Sequence, residues 1–234
     1  RHYDIDIGLT GQSQFGSRTA GPGATGGQNV DANLAGQTPA NLSDTIFRGN
    51  LDWKPTEDTL LYLTYSEGFR SGGFNRNGNG TGPLDIPFFF DTDVVKNYEF
   101  GWKTEWLDNR LRVNGAAYFV DFSDLQQGVL DFNISNVSFF SNVGEAEIRG
   151  LELETEWLAT DELTVFGTAS FIDSELTSVP TSLVNIAPVG SDLPFAPNVQ
   201  LVGGARYERE YKGFDIFAQA MGQYTGERNV TLLT

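Results

Sequence analysis

Ile148-Arg-Gly-Leu-Glu-Leu-Glu-Thr-Glu-Trp-Leu158 and Leu163-Thr-Val-Phe-Gly-Thr-Ala-Ser-Phe-Ile172, separated by Ala159–Glu162, decide the fold. Successive side chains on a strand point to opposite faces. In the first segment that rule puts Leu151, Leu153, Thr155 and Trp157 on one side and Gly150, Glu152, Glu154 and Glu156 on the other. The second segment repeats the pattern more softly, with Leu163, Val165, Gly167, Ala169 and Phe171 together. The break between them is short enough for a tight turn, so the pair reads as a β-hairpin with one apolar and one acidic face.

The hairpin recurs along the chain. Tyr3 to Thr10 alternates as a first strand, and 11–43 is a polar, Gly-rich loop. Strands follow over 46–54, 59–69, 95–107 and 110–122, then the opening hairpin, then strands from Val199 to Tyr207 and from Phe214 to Tyr224, nine in all. Segment 123–144 is less regular and is expected to extend the strands on either side of it. Short turns near 57, 109, 160 and 211, at spacings of 52, 51 and 51, alternate with long loops over 70–92, 123–144 and 173–197. An aromatic stands two residues before every short turn: Trp53, Trp106, Trp157 and Tyr207.

Composition narrows the classes. Thirty-one acidic against 15 basic residues give a formal net charge of -16 over 234 residues, which argues against nucleic acid as a partner. There is no cysteine and one histidine, His2, so thiolate metal sites and a Ser-His-Asp triad are excluded. No catalytic residue, cofactor or metal site is expected. Glu152, Glu154 and Glu156 read as a solvated strand face rather than an acid–base pair, and the spacing of Asp85, Asp91 and Asp93 matches no calcium loop. No stretch approaches the ~20 apolar residues of a membrane helix.

A closed barrel in a bilayer needs strands of ~9–11 residues with an apolar outside and a polar lumen. It must close, because lipid offers no partner to unpaired backbone groups. Trp and Tyr settle where lipid meets water, so Trp53, Trp106, Trp157 and Tyr207 are expected to form a girdle on the short-turn side. Arg48, Asp52, Glu99, Lys103, Glu105, Arg112, Glu152, Glu154 and Glu156 are expected to face the lumen. The alternative reading of the pattern is a soluble up-and-down β-protein or β-blade array.

An ordered series of motifs resembles TonB-dependent outer-membrane receptors. Leu61-Tyr-Leu-Thr-Tyr-Ser-Glu-Gly-Phe-Arg-Ser-Gly-Gly-Phe-Asn75 resembles one of their strand-to-loop signatures. Tyr98-Glu-Phe-Gly-Trp-Lys-Thr104 resembles their Glu-x-Gly-x-Lys strand, and Ala116 to Gln126 the strand that follows. Asn142-Val-Gly-Glu-Ala146 with Arg149-Gly-Leu-Glu-Leu-Glu154, Pro197-Asn198 and Tyr224-Thr-Gly-Glu-Arg-Asn229 continue the series. The resemblance covers roughly residues 46–230.

It implies an all-β, antiparallel up-and-down transmembrane barrel of about 22 strands, of which 1–234 would be a partial barrel domain lacking the plug and the final strands. It further implies a multi-pass protein of a Gram-negative outer membrane. That protein would import a ferric siderophore or another scarce nutrient with energy from TonB. Its partners would be outer-membrane lipid, a small-molecule ligand, its own plug domain and TonB. Ligand contacts are expected on the long loops, at Arg70, Phe74, Asn75 and Arg76, with Phe88, Phe89, Phe90, Phe139 and Phe140 as aromatic partners. A passive porin, a small barrel with an adhesin or structural role, and a secreted β-rich binding module are the alternatives; a plug domain encoded upstream separates the first reading from all three.

Overall fold

The computed structural model describes residues 2–7, 40–75, 89–129, 139–181, 183–184 and 187–230. These contain fourteen strands and no helix. In chain order they are β1 (His2–Ile7), β2 (Ala40–Thr45), β3 (Arg48–Thr56), β4 (Thr59–Arg70), β5 (Gly73–Phe74), β6 (Phe89–Phe90), β7 (Asp93–Trp106), β8 (Leu111–Ser123), β9 (Gln126–Val129), β10 (Phe139–Asn142), β11 (Glu145–Leu158), β12 (Leu163–Ser178), β13 (Val199–Tyr211) and β14 (Phe214–Thr225). The chain divides into two compact units. One comprises Arg1–Ile46, Gly68–Val94 and Ser123–Gly144, the other Phe47–Glu67, Val95–Phe122 and Glu145–Thr234.

Eight strands form one antiparallel sheet in the order β14-β13-β12-β11-β8-β7-β4-β3. Each is paired with its neighbour in the expected up-and-down sequence, and β3 and β14 are the edges. The tight turns have distinct local causes. Pro55 lacks an amide hydrogen, and the β3–β4 register shifts between Trp53 and Thr56 before the turn at Glu57–Asp58. Lys212 and Gly213 both take positive φ, 52° and 79°, the two-residue turn whose twist matches a hairpin. Thr160 Oγ1 accepts from Glu162 N and Leu163 N at 3.2 and 3.1 Å, closing the turn between β11 and β12.

Register fixes the two faces. Leu153 pairs with Gly115 on one side and Ala169 on the other; Trp157 pairs with Leu111 and Val165. Glu152, Glu154 and Glu156 pair with Ala116, Asn114 and Arg112, then with Ser170, Thr168 and Phe166. The apolar and polar alternations of adjacent strands therefore coincide. On the apolar face Leu51, Trp53, Leu63, Phe100, Trp106 and Trp157 are all exposed.

Connections longer than a turn join β4 to β7, β8 to β11 and β12 to β13. Each of these pairs carries an aromatic ring lying on a glycine across the interface. Tyr62 covers Gly101, Tyr118 covers Gly150 and Phe166 covers Gly204, so that a Cβ at any of the three glycines would collide with the ring. Gly150 and Gly204 face their aromatics directly in register.

The structure corrects several boundaries. The first strand pairs with Ala40–Thr45, which begins inside the expected loop, and stands outside the eight-stranded sheet. The sequence Ala-Asn-Leu-Ser-Asp-Thr has only Ala40 and Leu42 in apolar alternation, too short a pattern to mark a strand, so backbone pairing reveals it. Residues 8–10 lie outside the described residues. Strand β12 runs to Ser178, past the expected loop start at Asp173, because β11 begins as early as Glu145 and pairs with it throughout. The following connection returns alongside β12. Leu176 N donates to Ser191 O at 2.9 Å and Gly190 N to Leu176 O at 2.8 Å, while Leu176, Leu183, Ala187 and Leu193 are buried. Segment 123–144 extends its flanking strands only slightly and makes its own hairpin, β9 with β10.

Candidate functional site

The polar face of the sheet is lined as its sequence requires. Arg48, Asn50, Asp52, Tyr62, Thr64, Ser66, Asn97, Glu99 and Lys103 border one open concavity of about 370 Å³. Thr64 Oγ1 donates to Asn50 Oδ1 at 2.6 Å and Asn50 Nδ2 to Asp52 Oδ1 at 2.7 Å. Further along, Arg112 pairs with Glu105 at 3.4 Å, and Asn114 Nδ2 donates to Glu154 Oε2 at 3.3 Å. The nine charged residues assigned to the lumen from sequence all lie on these strands.

Trp53, Trp106, Trp157 and Tyr207 lie on the apolar face near the tight turns, and all four are exposed. At the other end of that face a second aromatic row runs across three strands. Tyr65 meets Tyr98 at 5.1 Å between ring centroids, Tyr98 meets Phe119 at 6.2 Å, and the Arg149 guanidinium sits 5.9 Å over Phe119. Beyond the row the outward positions become ionic: Arg149 bridges to Glu147 and, at 3.8 Å, to Glu175. The apolar band is thus bounded by aromatics at both ends, and charge begins where it stops.

Of the loop residues singled out from sequence, the described ones, Arg70, Phe74, Asn75, Phe89, Phe90, Phe139 and Phe140, meet at the roots of two long connections within the first unit. Arg70, the last residue of β4, clamps Asp93, the first of β7. Arg70 Nε lies 2.9 Å from Asp93 Oδ2 and 3.1 Å from Oδ1, Nη2 adds a second contact to Oδ2, and the Arg70 amide donates to Oδ1 at 3.1 Å. Asp93 is buried and also accepts from Gln126 N at 3.0 Å. Arg70 Nη2 reaches Gln126 O at 2.9 Å. A buried carboxylate is tolerable only with this density of donors.

Asn75 is buried. Its Nδ2 donates to Phe140 O at 2.7 Å and its Oδ1 accepts from Phe140 N at 2.8 Å. The ring of Phe90 lies over Gly73 and meets Phe140 at 5.5 Å, with Phe140 51% exposed. Phe139 is buried and Phe89 half-buried. The backbone of Phe74 pairs with Phe89, its side chain lying outside the described residues, as do Arg76, Phe88 and Asp85. Asp93, weighed from sequence only as a calcium ligand, is the counter-ion of Arg70. Gln126 and Asn142 stand in the family-like motifs but were not read as site residues, because their partners are backbone groups far away in the chain.

A profile described as TonB dependent receptor-like, beta-barrel, matches residues 3–232. The chain is 25% identical over 149 residues to a probable TonB-dependent siderophore receptor, PiuA, of Acinetobacter baumannii, covering 62% of this chain and 19% of that protein. It is 31% identical over 102 residues to a ferric-pyoverdine 358 receptor of Pseudomonas putida, covering 42% of this chain and 11% of that one. Its fold matches the ferric yersiniabactin uptake receptor FyuA of Yersinia pestis with a TM-score of 0.62 at 20% identity, over 81% of this chain and 27% of that one. The chain therefore spans about a fifth or less of the length of these curated relatives.

Proposed function

The chain belongs to the TonB-dependent receptor β-barrel family, and from that premise we propose that it is wall and loop of a Gram-negative outer-membrane receptor that imports a ferric siderophore. The family is one of transporters and receptors, and its barrels sit in the outer membrane. The observation that carries the ligand class is that two of the matched relatives are named as a siderophore receptor and a ferric-pyoverdine receptor.

In this reading the apolar face meets lipid, with Trp53, Trp106, Trp157 and Tyr207 at the periplasmic interface. The Arg48, Asp52, Glu99, Lys103, Glu105, Arg112 and Glu152/154/156 face meets the lumen and a plug domain. TonB supplies the energy, since a polar lumen face by itself only lines a path. Ligand is met on the outside by the long connections, to which Arg70, Phe74, Asn75, Arg76, Phe88–Phe90 and Phe139–Phe140 belong; Phe90 with Phe140 is the aromatic surface supporting that assignment.

The test is uptake of radiolabelled iron by iron-starved cells carrying the full-length gene, supplied as a ferric catecholate and as a ferric hydroxamate. Uptake of one of them should require both the gene and an intact TonB. Passage of unrelated small solutes irrespective of TonB would favour the porin alternative.

A further inference from the structure

The contacts of the first unit bind one connection to the other. The root of the β4–β7 connection supplies Arg70, Ser71, Asn75, Phe90, Asp91 and Asp93; that of the β8–β11 connection supplies Asp124, Gln126, Phe140 and Asn142. Three clamps cross between them. The first is the Arg70–Asp93–Gln126 node. There the Gln126 side-chain amide shares its two hydrogens among Arg70 O, Ser71 O and Asp91 O at 3.1, 3.0 and 2.9 Å. The second is the paired hydrogen bonds of Asn75 with the Phe140 backbone. The third is Asn142, whose Oδ1 accepts from Asp91 N at 2.7 Å while its Nδ2 donates to Asp91 O at 2.9 Å and Asp124 O at 2.7 Å.

Side chains here replace a ladder. Asn75 and Asn142 each satisfy both the donor and the acceptor of one backbone unit, as a neighbouring strand would. Asp93, Asn75 and Gln126 are 2, 6 and 7% exposed, so water does not substitute for these bonds. The buried Leu125, Val129, Phe139 and Val143 lie in the same root.

We propose that the two roots form a single positioning element keyed by Asp93, which holds the Phe90–Phe140 pair in one arrangement for a ligand arriving from outside. Its bearing on ligand rests on the function proposed above; the coupling of the roots does not. Neither root then opens alone, and a substitution in one is felt in the other.

Hydrogen exchange followed by mass spectrometry on the full-length receptor tests the coupling. Asn75→Ala lies in the first root. It should speed exchange by about tenfold or more in peptides covering 139–143 and 124–129 as well as its own, the loss expected when a buried hydrogen-bond pair opens. Exchange in the β11–β12 hairpin should stay unchanged. Acceleration confined to 71–75, or spread equally through the barrel strands, overturns the proposal. Asn142→Ala provides the reciprocal measurement and must accelerate 89–92. Asp93→Asn should couple both roots to faster exchange and weaken capture of whichever of the two ferric complexes the wild type imports, with heat-modifiability of the barrel retained. Coupled exchange without any ferric capture by the wild type would leave the positioning element standing and remove the siderophore reading.

Discussion

Leu153 and Glu154 are adjacent in sequence and on opposite sides of the wall. Leu153 sits in register between Gly115 and Ala169, and Glu154 accepts from Asn114 beside Thr168. Arginine at a lipid-facing midplane position costs about 2–4 kcal/mol, whereas a lumen position tolerates charge. In the full-length protein Leu153→Arg should reduce membrane yield and heat-modifiability on gels, and Glu154→Arg should leave both near wild type. A one-residue slip cannot rescue Leu153→Arg, since it would carry Glu152, Glu154 and Glu156 together into lipid. Equal damage from the two variants would reverse the assignment of faces.

Between strands, the tight turns set register where they occur, and an aromatic–glycine contact lies at each of the three interfaces that lack one, besides that of Trp102 with Gly115 at the β7–β8 hairpin. A long connection imposes no register on the strands it joins, whereas a ring seated on a glycine is compatible with only one alignment. Gly101→Val and Gly150→Val should each destabilise the barrel by about 1–3 kcal/mol through overpacking against Tyr62 and Tyr118. Combining Gly150→Val with Tyr118→Ala should recover part of that loss in a double-mutant cycle read by denaturant unfolding in detergent. Gly222, where nothing lies within 4 Å of an added Cβ, is the control and should accept Ala with little change. If Gly222→Ala and Gly150→Val were equally costly, glycine would matter here for its backbone and not for the ring above it.

Across the sheet as a whole, the apolar band lies between the row of Trp53, Trp106, Trp157 and Tyr207 and the row of Tyr65, Tyr98 and Phe119. From Trp157 to Arg149 the outward positions of β11 are Thr155, Leu153 and Leu151, the first charge appearing at Arg149. At a rise of ~3.3 Å per residue, tilted by ~40°, that stretch spans roughly 20 Å, close to the apolar height of an outer-membrane barrel. Tryptophan fluorescence of the reconstituted full-length receptor, with its other tryptophans replaced, should be quenched more by spin labels near the headgroups than by labels at the bilayer centre. Deeper quenching at the centre would displace the girdle. The 234 residues alone present both edges, β3 and β14, and the whole apolar face. Without detergent they should aggregate, and a reversibly folding soluble monomer would point to the secreted binding module.

The alternation of Leu151, Leu153 and Trp157 with Glu152, Glu154 and Glu156 determined strand, face and chemistry together, because period-two patterning is a local property that survives without knowledge of partners. Turn positions were equally legible, since Pro55, Asp108-Asn109 and Lys212-Gly213 carry their conformational preferences with them. The pairing of β1 with Ala40–Thr45 was not, nor the extension of β12 to Ser178; both depend on backbone hydrogen bonds that no side-chain pattern encodes. The least legible feature was the joining of two loop roots through Arg70, Asp93, Gln126, Asn75 and Asn142. Its contacts cross up to 65 residues of chain and end largely on carbonyls and amides, which every residue possesses. Sequence singled out Arg70 and Asn75 from their chemistry, but only the tertiary structure supplied their partners, because burial and proximity select which of many identical backbone groups they bind.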